Sequence, residues 1–112
     1  MLGFQRLDVY QAAIRYLAMS AEIITGLPKG NSGLADQLRR AALSVPLNVA
    51  EATGRNSAGD IQRHYAIARG SAMECAALMD AMKVLGLIEE SRYVDAIQLL
   101  TRVVAMCTKL CR

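Results

Sequence analysis

Three cysteines and one histidine are the side chains of this chain best suited to nucleophilic or metal chemistry. Cys107 and Cys111 stand one helical turn apart, so both thiols can face a single ion. Two thiolates make only half of a structural zinc site, and the ligand spacing of zinc hairpins is absent. Cys75 adds a third ligand only if its helix adjoins theirs. His64 is the sole imidazole. A thiol–imidazole pair needs hydrogen-bond contact, yet Cys75 lies eleven residues beyond His64, about 16 Å by helical rise. The Glu-x-x-His pairs of di-iron bundles are missing, because Ile61 stands three residues before His64. No phosphate-binding glycine loop, dinucleotide fingerprint or Ser-His-Asp set is present. All three cysteines fall on apolar helical stripes, where Cys acts as a small hydrophobe. These residues predict a chain that is not an enzyme, with no catalytic residue, no metal and no cofactor.

Polar residues form a second pattern. Gln37, Arg40, Ser44, Asn48 and Glu51 share one helical ridge, and Asp60, His64, Ser71 and Glu74 form a matching edge downstream. Both border apolar stripes, and polar groups that close to a core must find partners. Arg40, Ser44, Asn48, Glu51 and Glu74 are therefore expected as a structural polar motif. A buried charge network of Arg40, Asn48, Glu51 and Arg55 would lose about 3–5 kcal/mol on removal of one partner.

Basic residues number 13 and acidic ones 10, a net charge of +3, and ten of the cations are Arg. Arg suits bidentate pairing with carboxylates or phosphates. Arg55, Arg63 and Arg69 outweigh Asp60 between residues 53 and 69, whereas Glu74 and Asp80 outweigh Lys83 between residues 70 and 88. Arg55, Arg63 and Arg69 are thus the candidate nucleic-acid edge, with Arg102, Lys109 and Arg112 as the alternative. Binding of RNA or DNA there would tolerate sequence, since only Tyr65 offers a nearby stacking face.

The elements that must position these groups are helices. A chain of 112 residues holds one domain, residues 1–112. With 54% hydrophobic residues it is no disordered chain, and its 4% aromatic content argues against sheets. Breaks fall at residues 27–33, 53–57 and 86–88, leaving four segments of helical length. Their apolar residues recur at spacings of three and four: Leu7, Tyr10, Ile14, Leu17, Ala21 and Ile24; then Leu34, Leu38, Ala41, Val45, Val49 and Ala52; then Ile61, Tyr65, Ala68, Ala72, Cys75, Met79 and Met82; then Tyr93, Ile97, Leu100, Val104, Cys107 and Cys111. Short connections make consecutive helices antiparallel. The expected fold class is all-α, an antiparallel up-down-up-down four-helix bundle. Ser57 should cap the third helix, Asn31 or Ser32 the second, and Gly86 should end the third. Pro46 should kink the second helix near Ala42.

Two helices carry more apolar surface than one core needs. Leu99, Val103, Met106 and Leu110 form a second stripe on the last helix, and Leu43, Leu47 and Ala50 one on the second. Contiguous apolar patches of this kind mark interfaces, so Leu43, Leu47, Leu99, Val103, Met106 and Leu110 are expected to join copies in a homo-oligomer. No run reaches the ~18 apolar residues that span a bilayer, and no secretory signal opens the chain. No membrane association is expected. Unpaired cysteines fit a cytoplasmic protein.

The run from Gln37 to Ala42, continued by Ser44-Val45-Pro46-Leu47-Asn48-Val49-Ala50-Glu51, Gly54-Arg55 and Ser57, resembles the signature of the four-helix-bundle proteins encoded in bacterial ribosomal-RNA intervening sequences. Phe4 to Tyr10, Ile67 to Ser71, Glu74 and Leu85-Gly86 extend the resemblance over nearly the whole chain. It implies a small cytosolic protein that assembles as a ring-like homopentamer. It also implies kinship with retroelement accessory proteins of the same architecture, which bind a reverse transcriptase and nucleic acid. The chain departs from that pattern at Ala52, where the family has Gly, at Asp60, where it has Glu, and at His64-Tyr65-Ala66. Its last helix carries only Arg102, Lys109 and Arg112 as basic residues where many members are Lys-rich.

Overall fold

A computed structural model describes all 112 residues. After a 3-10 turn at Gly3–Arg6 come four α-helices: α1 (Asp8–Thr25), α2 (Ser32–Thr53), α3 (Ala58–Val84) and α4 (Glu90–Leu110). The helices pack in cyclic order, α1 on α2, α2 on α3, α3 on α4 and α4 on α1, with no diagonal packing. The result is the antiparallel four-helix bundle, 44 × 25 × 22 Å. No helix is long and apolar enough to cross a membrane.

The ends of α3 follow the expected chemistry. Ser57 Oγ accepts the Asp60 N–H at 3.1 Å, satisfying one free donor of the first turn. At the other end Gly86 adopts φ +71°. The Gly86 N–H reaches the Lys83 carbonyl at 3.1 Å and the Leu87 N–H reaches Met82 at 2.8 Å. This is a Schellman motif, whose left-handed residue is easiest for Gly. Asn31 does stand at the N-cap of α2, but its amide donates to the Pro28 carbonyl at 2.9 Å and closes the preceding turn instead. Pro46 is buried within an α2 that runs unbroken from Ser32 to Thr53.

In α2 and α3 the buried rows are those the spacing predicts, Leu38, Ala41, Val45, Val49 and Ala52 against Tyr65, Ala68, Ala72, Cys75, Met79 and Met82, except that Leu34 and Ile61 at the helix starts only flank the core. In α1 the buried row is a different one: Val9, Ala12, Ala13, Tyr16, Ser20 and Ile23. Ile14 and Ala21 face solvent, and Leu7, Tyr10, Leu17 and Ile24 only flank the core. The reason is size. Ala12 and Ala13 carry little apolar signal but let α1 lie close to its neighbours, and Ser20 satisfies its hydroxyl on the Leu17 carbonyl at 2.7 Å, so it can be buried.

Helix α4 corrects the interface expectation. Leu99 (7% exposed) and Val103 (0%) lie in the bundle core, Met106 packs half-buried against it, and only Leu110 is exposed. Helix α4 touches both α1 and α3. It needs one apolar row for each neighbour, with Leu99 beside Arg15 and Met19 of α1 and Ile97, Leu100 and Val104 beside Met73 and Ala77 of α3. The wide stripe is therefore a two-sided core contact. On α2, Leu43 and Leu47 remain outside, 43% and 54% exposed.

Candidate functional site

The polar ridges of α2 and α3 meet along their shared seam. The Ser71 hydroxyl donates to Ser44 Oγ at 2.8 Å. The Asn48 amide donates to the Ser44 carbonyl at 2.9 Å and to Ser44 Oγ at 3.1 Å. Asn48 Oδ1 then accepts from His64 Nδ1 at 3.0 Å, and His64 Nε2 accepts from the Arg63 guanidinium at 3.2 Å. This network assigns the imidazole proton to Nδ1. His64 is only 5% exposed, so both ring nitrogens need the partners they have. Glu51 Oε2 lies 3.4 Å from His64 Nδ1 and 3.1 Å from Arg55. The ladder begins on Ser71, crosses the seam three times and ends in water.

Its charged members are not buried, contrary to the sequence expectation. The side chains of Glu51 and Arg55 are 53% and 44% exposed, so their pair is worth at most about 1 kcal/mol and not the 3–5 of a buried network. Ser44, Asn48 and His64 carry the structural part. The side chains of Arg40 and Glu74 make no hydrogen bond or ion pair within the chain. They line, with Gln37, Ser44 and Ser71, a polar groove of about 460 Å³ over the seam.

The three candidate arginines do not form one edge. Arg55 pairs with Glu51 at 3.1 Å, and Arg63 with Asp60 at 3.6 Å. Arg69 turns to the α4 side, where its guanidinium donates to Thr108 Oγ1 at 3.4 Å. The antiparallel topology gathers charge more coarsely. The half of the bundle built from residues 1–16, 43–71 and 101–112 contains Arg6, Arg15, Arg55, Arg63, Arg69, Arg102, Lys109 and Arg112 against Asp8, Glu51 and Asp60, a net +5. The opposite half contains five cations and seven carboxylates, a net −2. The bundle is a charge dipole along its long axis, which the segment-by-segment count in the sequence reveals only for α3.

All three cysteines are free thiols. Cys75 and Cys107 are buried, and Cys111 is partly exposed. Nowhere do three His, Cys, Asp or Glu side chains stand together as an ion would require. Burial pushes the Cys75 thiol up to about 12, with the Tyr16 hydroxyl pulling the other way. Burial and then Cys111 push the Cys107 thiol up to about 11. A raised thiol pKa means little thiolate, and thiolate is the reactive form. At about pH 8 a thiol reagent should label one cysteine per folded chain quickly, Cys111, and all three after denaturation. Rapid labelling of Cys75 in the native protein, read by mass spectrometry of its peptides, would contradict this burial.

One surface feature is absent from the sequence reading. Met73, Ala76, Ala77, Ile97, Thr101 and Val104 line an open, mainly apolar groove of about 380 Å³ between α3 and α4. Its signal in the sequence is a second row on each helix, Gly70-Met73-Ala77 and Val94-Ile97-Thr101-Val104, masked because Ile97 and Val104 also border the core.

The profile of the 23S rRNA-intervening sequence protein family matches residues 5–109 of the chain. Among solved structures, a protein of unknown function from the S23 ribosomal protein family of Bacteroides thetaiotaomicron superposes with a TM-score of 0.86. The two are 16% identical, and the match covers 93% of this chain and 98% of that one. At that identity the likeness speaks for the fold. No curated protein matches the sequence.

Proposed function

The chain belongs to the 23S rRNA-intervening sequence protein family, and from that premise we propose that it is a non-catalytic interaction protein that works as an assembly of its own copies. The observation that carries this reading is the outer face of α2. Leu43 and Leu47, 43% and 54% exposed, stand in the middle of a long helix with no partner. Two exposed leucines one turn apart keep apolar area in water that association removes, at roughly 25 cal/mol per Å². The family resemblance supplies the stoichiometry, a ring of five. Two differently tagged copies of the chain, produced together, should purify as one complex through either tag. Recovery of one tag without the other contradicts the proposal.

The charge dipole favours a second reading, in which the basic half of the bundle docks on the phosphates of structured RNA or DNA. A net +5 on one end is modest for a single copy, but copies arranged side by side repeat it and multiply weak contacts. The free N–H groups at the start of α3 lie in the same half and also favour phosphate.

A further inference from the structure

We infer that the partner of the α2 face is the α3–α4 groove of a second copy, in a head-to-tail contact; this rests on the self-association proposed above. On α2 the residues Asp36, Arg40, Leu43, Leu47, Ala50 and Gly54 alternate spacings of four and three. That is the seam of a helix packed lengthwise on others, and it is turned away from the bundle's own core. The groove supplies the opposite shape. Its α3 wall is low, made of Ala76 and Ala77 beside Met73, and Ile97, Thr101 and Val104 form the α4 wall. Small residues at such a wall let a third helix approach closely. Leucine side chains then enter the holes.

Charge sets the direction. Arg40 and Glu51 flank the leucines of α2, eleven residues apart, about 16 Å of helix. Asp80 lines one end of the groove, and Arg69 stands eleven residues earlier on the same helix, on the α4 side. The two separations match. With α2 antiparallel to the α3 of the neighbouring copy, Arg40 meets Asp80 and Glu51 meets Arg69. The reverse direction sets Arg40 against Arg69 and Glu51 against Asp80, two like-charge pairs that select against it. Helix α2 does not touch α4 within the bundle, so ridge and groove are separate surfaces. One such contact leaves a free groove on one copy and a free ridge on the other, so the series of contacts satisfies every copy only when it closes as a ring.

Complementation tests this. One variant carries Leu43→Glu and Leu47→Glu, losing the ridge; the other carries Ala77→Glu and Thr101→Glu, losing the groove. All four positions are exposed, so each variant should keep the parent's helical circular dichroism and run as a 12.1 kDa monomer. Mixed in equal amounts, they retain one sound ridge and one sound groove between them. The mixture should therefore form a species of twice the monomer mass and nothing larger. A mixture that stays monomeric, or a groove variant that keeps the parent's mass, overturns the head-to-tail contact while leaving self-association standing. A parent that is itself monomeric overturns both. For the direction, Arg40→Asp should loosen the parent assembly several-fold and adding Asp80→Arg should restore it; no restoration overturns the antiparallel arrangement.

Discussion

Val103→Glu is expected to abolish the folded bundle at room temperature. Val103 is fully buried in α4, and it stands in the core cluster with Leu99, Leu100 and Cys107. A carboxylate there loses its water and gains no cation. The penalty is several kcal/mol even after relaxation or protonation. The longer side chain must also displace packed neighbours, at a further cost of about 1–3 kcal/mol. A domain of this size holds about 5–15 kcal/mol in reserve, so the combined loss removes most or all of it. The measurement is helical circular dichroism with thermal melting. The expected result is a weak helical signal and no cooperative transition. A folded variant whose only change is its mass in solution would return Val103 to the surface, where its place in the wide stripe of α4 first suggests it belongs.

The second large effect concerns the charge dipole. If the basic half of the bundle holds RNA, replacing Arg55, Arg63 and Arg112 by Gln removes three of its eight cations and leaves Arg69, which the contact between copies uses, in place. Each neutralised phosphate contributes a slope of roughly −0.7 on single strands and −0.9 on duplex DNA to log affinity against log salt. The triple variant should flatten that slope by about two and weaken retention at low salt by at least roughly tenfold. Replacing Lys29, Arg39 and Arg92 in the opposite half removes the same net charge and should change retention little. Filter binding of a structured RNA at several salt concentrations reads both numbers. Equal losses in the two variants would mean that net charge alone attracts RNA. No retention of the parent at low salt would remove the nucleic-acid reading.

Much of this protein is legible in its sequence, and the parts that are not have physical causes. The four helices can be read because their breaks contain Gly, Pro and Ser, and because Ser57 and Gly86 act on their own backbone neighbours. The buried faces of α2 and α3 are legible because their Leu, Val and Met residues are large. That of α1 is not, since Ala12, Ala13 and Ser20 contribute shape more than hydrophobicity. The α4 stripe misleads because a helix wedged between two others needs two apolar rows, and periodicity does not count neighbours. The Ser44–Asn48–His64 ladder follows from spacing plus the rule that polar groups near a core find partners. Which of its members are dry does not follow, because burial of Glu51 and Arg55 depends on where the helix surface turns away. The bundle's charge dipole becomes visible only after antiparallel folding puts the start of α3 beside the end of α4.

The proposed self-association requires that the exposed leucine face of α2 be covered by another copy of the chain. Sedimentation equilibrium of the purified parent at micromolar concentration reads this without any substitution. The expected mass is a multiple of 12.1 kDa, fivefold if the ring implied by the family resemblance forms. A single species at 12.1 kDa would contradict it.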